Sequence, residues 1–397
     1  MRIAEIASIV NERKPTSEIA DGCYVSTDNM KPNFGGVEAA TATFQGSVIE
    51  FQQSDILLSN IRPYFRKTWF ATHTGGCNAD VICIRADAEK CCPQYLYYQL
   101  TTDNFVKDYL KACKGAKMPR GDVKRLLAYD IPLPNLQEQL RIAGILGSLD
   151  EKIEINRRKI TELEALVKLI YDHWFVQFDF PDAKGKPYKS SGGKMVWNET
   201  LKRNIPVGWN VDNIYRIADY INGLACQKYR PSSKLVALPV IKIKEMHDGI
   251  TDETEFVSSD IPEHYKISDG SMLFSWSATL ETMIWTGGDA GLNQHIFKVV
   301  PHNGFPMSFV FLQVSAYIGN FVKMADARKT TMGHITTDHM KQSRILIPSQ
   351  TLLNAFSSVG QPIFNKIIKN RKEIIELTRV RDWLLPMLMN GQTCILE

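Results

Sequence analysis

Ile6-Ala7-Ser8-Ile9-Val10-Asn11 is answered far along the chain by Ile217-Ala218-Asp219-Tyr220-Ile221-Asn222. Working outward from that echo, Asp55-Ile56-Leu57-Leu58-Ser59 returns as Ser271-Met272-Leu273-Phe274-Ser275. Asn78-Ala79-Asp80-Val81-Ile82 returns as Asn293-Gln294-His295-Ile296-Phe297. Residues 126–132, closing on Tyr129-Asp130-Ile131-Pro132, are matched by Ile345-Leu346-Ile347-Pro348. Ile153-Glu154-Ile155-Asn156-Arg157-Arg158-Lys159-Ile160 is matched by Ile367-Ile368-Lys369-Asn370-Arg371-Lys372-Glu373-Ile374. The offset of roughly 210–216 residues far exceeds the roughly 20–50 of a solenoid repeat. The chain is therefore a tandem duplication of a whole mixed domain followed by a long helix. Such a two-fold chain suits a two-part target.

The helices follow from a change of period. Residues 1–134 show short β-rich runs punctuated by Gly, Asn and Pro, with one helix expected over 93–113. Residues 135–178 hold no proline. Within them Leu149, Ile153, Asn156, Ile160, Leu163, Val167, Ile170 and Trp174 follow alternating steps of four and three, the seam of a coiled coil. About 26 residues of this seam make a rod of about 39 Å. The second seam is Ile363, Ile367, Asn370, Ile374, Leu377, Arg381, Leu384 and Leu388. Pro362 reads as the first turn of that helix, after a shorter piece over 352–359. Ile153, Asn156, Ile160 and Leu163 are expected to pair with Ile367, Asn370, Ile374 and Leu377. The matched asparagines cost stability but fix register. Exposed asparagines on surface helices are the plainer alternative.

The fold class is thus α+β: two mixed domains in pseudo-two-fold tandem, joined by two long antiparallel coiled-coil helices. The expected segments are 1–134, 135–182 (central helix), 183–349 and 350–397 (terminal helix).

Composition narrows the function. Of the 397 residues, 44% are hydrophobic and 23% charged, as in ordinary globular protein. No apolar run approaches the roughly 18–20 residues of a membrane span, and the start lacks a signal-peptide core. A cytoplasmic protein is expected. The cysteines (Cys23, Cys77, Cys83, Cys91, Cys92, Cys113, Cys226 and Cys394) form no C-x-x-C pair and read as reduced thiols. A net charge of +4 and pI near 8.5 do not by themselves establish nucleic-acid binding. The charge is uneven, however. Lys107, Lys111, Lys114, Lys117, Arg120, Lys124 and Arg125 crowd one stretch, and Arg62, Arg66 and Lys67 another.

Catalytic patterns are missing from the sequence. There is no phosphate-binding G-x-x-x-x-G-K-[ST] loop, and Gly35-Gly36, Gly75-Gly76 and Gly287-Gly288 read as turns. No Asn/Asp-Pro-Pro-aromatic tetrad of an amino-methyltransferase is present. His334 and His339 lack the partners of a metal site. No catalytic or metal-binding residue is assigned, and the chain reads as a non-enzyme.

These features together resemble the specificity subunit of type I restriction–modification systems. The resemblance is carried by Ile131-Pro132-Leu133-Pro134-Asn135-Leu136-Gln137-Glu138-Gln139-Leu140-Arg141-Ile142 leading into the long helix, and by Trp174-Phe175-Val176-Gln177-Phe178-Asp179 at its end. Tyr24-Val25-Ser26-Thr27-Asp28-Asn29-Met30, Asp55-Ile56-Leu57-Leu58-Ser59-Asn60-Ile61-Arg62-Pro63 and Thr330-Thr331-Met332-Gly333-His334-Ile335 are similar to phrases of that family. The resemblance implies that each mixed domain is a target recognition domain reading half of a split double-stranded DNA sequence. It implies that the helices set the half-site separation and dock two modification (methyltransferase) subunits, joined by restriction (translocase–nuclease) subunits. AdoMet, ATP and Mg²⁺ would belong to those partners, with no cofactor in this chain. Half-sites on one DNA face lie about 34–36 Å apart, comparable with the rod. Trp276-Ser277-Ala278-Thr279 stands where the first copy has Asn60-Ile61-Arg62-Pro63, so the target should be asymmetric.

Within that frame, Lys67, Lys114, Lys117, Lys124, Lys228 and Lys329 are chosen as phosphate contacts. Arg62, Arg120, Arg230, Asn293, Gln294 and His334 are chosen as base readers, because Arg pairs with guanine and Asn or Gln with adenine. Each has a plain alternative: loop Lys and Arg are often merely solvated, and Asn293 and Gln294 also suit turn amides. Trp69, Trp276 and Trp285 read as core. A coiled-coil protein-interaction scaffold without DNA specificity is the rival reading, and steep salt dependence of DNA binding separates the two.

Overall fold

The computed structural model describes residues 1–40, 46–113, 118–232, 237–327 and 335–392. It divides into two compact units, residues 1–153 with 377–397, and residues 154–376.

In the first unit an antiparallel sheet runs in the order Ala7–Ile9, Val81–Ala86, Ile56–Ser59, Thr68–Phe70. Ile56, Leu58, Ile82 and Ile84 face the main core, while Leu57 and Cys83 face a smaller one. Burial on both faces is why Ile56-Leu57-Leu58 is an unbroken apolar run instead of an alternating one. A second sheet has the order Arg13–Pro15, Ser47–Phe51, Gly75–Cys77, Tyr24–Val25.

The second unit repeats this plan. Its first sheet runs Ala218–Asn222, Ile296–Pro301, Met272–Ser275, Glu281–Ile284. Register is repeated as well as order: Leu57 lies opposite Cys83 and Ser59 opposite Val81, as Leu273 lies opposite Lys298 and Ser275 opposite Ile296. The second sheet again pairs strands in parallel, Val25 with Cys77 and Ile241 with Leu292. Its outer strand differs. Arg13–Pro15 edges the antiparallel side in the first unit, whereas Phe256–Ser258 edges the parallel side in the second.

Three expectations need correction. Gly75-Gly76 is not a turn but a strand, because a Cβ there would sit 2.2 Å from the Cys23 carbonyl oxygen and 2.5 Å from Val48. Gly291, the counterpart of Gly76, is likewise packed against Val257, at 2.6 Å. The helix expected over 93–113 is split into Pro93–Thr101 and Asp103–Lys111. Thr102 takes an extended conformation and its hydroxyl caps the Phe105 amide, so the second helix restarts there. Its counterpart in the second unit, Met307–Ala327, is continuous. Conversely, the terminal helix does not restart at Pro362 but runs unbroken over Gln350–Met389. Pro362 and Ser358 are exposed, so water can serve the carbonyl left without an N–H donor, while Phe356, Phe364 and Ile367 stay buried on the other side.

Each unit is closed by the beginning of one long helix and the end of the other. In the first unit, Ile142, Ala143 and Leu146 of the helix Leu136–Tyr171 share a core with Tyr95, Leu96, Leu388 and Met389. Arg381 pairs with Asp150 at 2.9 Å, and the Tyr98 hydroxyl donates to Asp150 at 2.7 Å. Burial works against the charged Arg381 guanidinium, but Asp150 and Asp382 hold its pKa above the usual arginine value. In the second unit Val167, Tyr171 and Phe175 meet Leu352, Leu353 and Phe356, and Arg371 pairs with Glu164 at 2.6 Å. Within each unit, numbering rises along one helix as it falls along the other, so the segments are antiparallel.

The seam positions are buried or half-buried. Ile153, Asn156, Val167, Ile367, Asn370 and Leu388 are buried; Leu149, Ile160, Leu163, Ile374, Leu377 and Arg381 are half-buried. Among the described residues no helix is long and apolar enough to cross a membrane.

Candidate nucleic-acid interface

At one end of the central strand Ile56–Ser59 the chain turns into a tip, residues 60–66. The tip is braced from both sides. Asn60 N–H donates to the Asp80 carbonyl at 2.8 Å, and Gly121 N–H donates to the Asn60 carbonyl at 3.0 Å. Arg62 N–H donates to the Pro119 carbonyl at 2.8 Å, and the Ser59 hydroxyl donates to the Ile61 carbonyl at 3.0 Å. Ile61 bridges to Arg120, so Arg62 and Arg120 flank one narrow ledge. Both are exposed. Arg120 is oriented by Asp80 at 3.0 Å, whereas Arg62 makes no ion pair among the described residues. The rings of Tyr64 and Phe65, 48% and 39% exposed, lie 4.7 Å apart beside them.

The second unit builds the same tip after Ser275. Trp276 N–H donates to the His295 carbonyl at 3.4 Å, Ile335 N–H to the Trp276 carbonyl at 3.1 Å, and the Ser275 hydroxyl to the Ser277 carbonyl at 3.3 Å. The neighbouring turns also match. Asn78 N–H donates to the Val25 carbonyl and Asn293 N–H to the Ile241 carbonyl, each at 3.1 Å. Helix N-caps follow both tips: Asp122 accepts from Lys124 and Arg125 N–H, and Thr336 accepts from His339 N–H. The polar chemistry differs. Ala278 stands at the place of Arg62, and Trp276 at the place of Asn60, its indole N–H donating to Asn222 at 3.1 Å.

The remaining chosen residues fall into distinct settings. Lys67 is half-buried and donates to the Thr27 carbonyl at 2.6 Å, close to the Phe65 ring. Lys124 is exposed on the helix after the first tip. In the same basic stretch Arg125 is held by Asp108, which raises the guanidinium pKa and lowers that of the carboxyl. In the second unit Lys228, Tyr229 and Arg230 are successive exposed residues at the end of a short turn. Asn293 is buried, and its Oδ1 accepts from His295 N–H, the turn-amide arrangement. Gln294 is half-buried beside His295. Lys114, Lys117, Lys329 and His334 lie outside the described residues. Sequence reasoning passed over the exposed pair Tyr64-Phe65. It aligned Ala278 with Arg62 but gave Ala278 no role.

The two units thus carry braced tips of one design with different side chains. The first 165 residues match the model of the type I restriction modification DNA specificity domain. Over 319 residues the chain is 26% identical to the type I restriction enzyme MjaIX specificity subunit of Methanocaldococcus jannaschii, spanning 77% of this chain and 70% of that protein. It is 23% identical over 399 residues to the HindI specificity subunit of Haemophilus influenzae, spanning 86% and 87%. The crystal structure of a type I restriction–modification S subunit from M. genitalium shares the fold, with a TM-score of 0.62 over 98% of this chain and 95% of that one at 15% identity. The first 165 residues thus match a type I restriction modification DNA specificity domain, and the chain as a whole is similar to specificity subunits of type I restriction–modification systems.

Proposed function

We propose that the two units read the two halves of a split, asymmetric double-stranded DNA target. The carrying observation is the pair of tips: three matching bracing hydrogen bonds and the same strand register, but Arg62 with Tyr64-Phe65 in one and Ala278 with Leu280-Glu281 in the other. Equal scaffolds with unequal side chains select unequal sequences.

The long helices set the separation of the half-sites and dock two modification subunits. The exposed pair Leu166 and Leu169, 45% and 64% exposed, recurs one offset later as Val380 and Trp383, 43% and 60% exposed. An apolar pair repeated once per unit suits two copies of one partner. Restriction subunits join that core in the cytoplasm. AdoMet, ATP and Mg²⁺ are bound by the partners, and this chain alone has no turnover.

The test is a change of helix length. Four residues inserted at Thr161, an exposed site on the first long helix, add about 6 Å and roughly one turn. In cells carrying the modification subunit, mapping of methylated adenines should show unchanged half-sites with a spacer longer by about one or two base pairs. An unchanged spacer would refute the ruler.

A further inference from the structure

Among the non-glycine residues with positive φ, Arg62 and Ala278 stand at the same place in the two tips, at 49° and 58°. An L residue enters this left-handed region at a cost, because its Cβ crowds the backbone, and glycine would make the same turn freely. Yet both copies carry a side chain there. Each is exposed, on a ledge fixed by matching hydrogen bonds to the preceding serine, to the 78–80 or 293–295 turn, and to the segment before the capped helix. Backbone strain held in place by surrounding structure, with the side chain exchanged between copies, marks a position used for what its side chain touches.

We propose that this left-handed position is a base-reading position of each half-site. Arg62 takes a guanine through its N7 and O6, and Ala278 lies against a thymine methyl. The chemistry separates Arg62 from its neighbours. Its fork has no ion-pair partner among the described residues, whereas Arg120 is drawn to Asp80 and Arg66 to Asp103. Ala278 is small and apolar on an exposed ledge, which fits a methyl group and offers nothing to a guanine edge. The inference rests on the reading of both units as DNA-recognition units.

The experiment uses the complex of this chain with its modification subunits and a panel of duplexes with each base pair of each half-site changed singly. Arg62→Ala should leave the tip folded, because alanine already occupies the same φ at position 278. Competition binding should show discrimination falling by roughly 5- to 150-fold at one guanine-bearing pair of one half-site, with the rest unchanged. Ala278→Gly should blunt discrimination at one thymine-bearing pair of the other half-site only. Uniform weakening by Arg62→Ala across the panel would make it a phosphate contact and overturn the assignment, as would unchanged discrimination or effects of both variants in one half-site. If the wild-type complex bound every duplex equally, the recognition reading itself would fail, and the assignment with it.

Discussion

Met389 lies near the C-terminal end of the chain, yet it is fully buried in the core of the first unit, with Leu388, Tyr95, Leu96 and Leu146 in the same cluster. Met389→Ala deletes most of that side chain and leaves a cavity, at a cost of about 2–5 kcal/mol. The lower half of that range is expected, because the helix ends at this residue and its last turn can settle inward. For a unit of this size each kcal/mol moves Tm by about 2–4 °C, so a fall of about 4–14 °C is expected. Hydrogen exchange reads the two units separately. Amides of the strand Ile56–Ser59 and the helix Pro93–Thr101 should lose protection, while those of Met272–Ser275 and Ile296–Pro301 keep theirs. Leu140→Ala is the control: Leu140 is 56% exposed, and its truncation should stay within about 0.5 kcal/mol. Equal loss of protection in both units, or a Tm shift no larger than the control's, would show that the C-terminal segment does not complete the first unit.

Arg381→Met should destabilise the first unit by about 1–3 kcal/mol, between the values for exposed and buried pairs, because among the described residues Asp150 keeps only the Tyr98 hydroxyl. Adding Asp150→Asn should recover part of that loss in a double-mutant cycle measured by urea unfolding. Asn156 and Asn370 are 1% and 3% exposed, and neither side-chain amide nitrogen meets an acceptor among the described residues. Replacing each by leucine should therefore raise the stability of the second unit by about 1–3 kcal/mol, read from its thermal transition. An unchanged or lowered Tm would show that these amides are satisfied in solution. Burial pushes the Cys77 and Cys91 thiols up to about 12 and Cys83 higher still. Alkylation at pH 8 followed by mass spectrometry should leave all three unlabelled until the chain unfolds.

The sequence made the architecture readable because duplication supplies an internal control. One copy of Asp55-Ile56-Leu57-Leu58-Ser59 is an ambiguous apolar run; two copies at a constant offset are a strand with a defined neighbour, and the observed registers agree at Leu57/Cys83 and Leu273/Lys298. The steps of four and three were equally readable, since burial of a helix face leaves a period. Local chemistry that tertiary packing overrides was not readable. Pro362 looks like a helix start, but buried neighbours on the opposite face carry the helix through it. Gly75-Gly76 looks like a turn, but close packing in a sheet demands glycine just as strictly.

The tips show the limit most clearly. Neither Arg62 nor Ala278 is a residue type that announces a left-handed turn, and the tips that carry them are fixed by hydrogen bonds to distant segments. A single sequence displays the side chain and hides the strain; a single structure displays the strain and gives no reason for it. The second copy supplies the reason. A conformation kept at a cost while its side chain changes from guanidinium to methyl is a scaffold held constant so that its cargo can vary. Under the proposed reading both units need that division, because each turns the same ledge toward different bases.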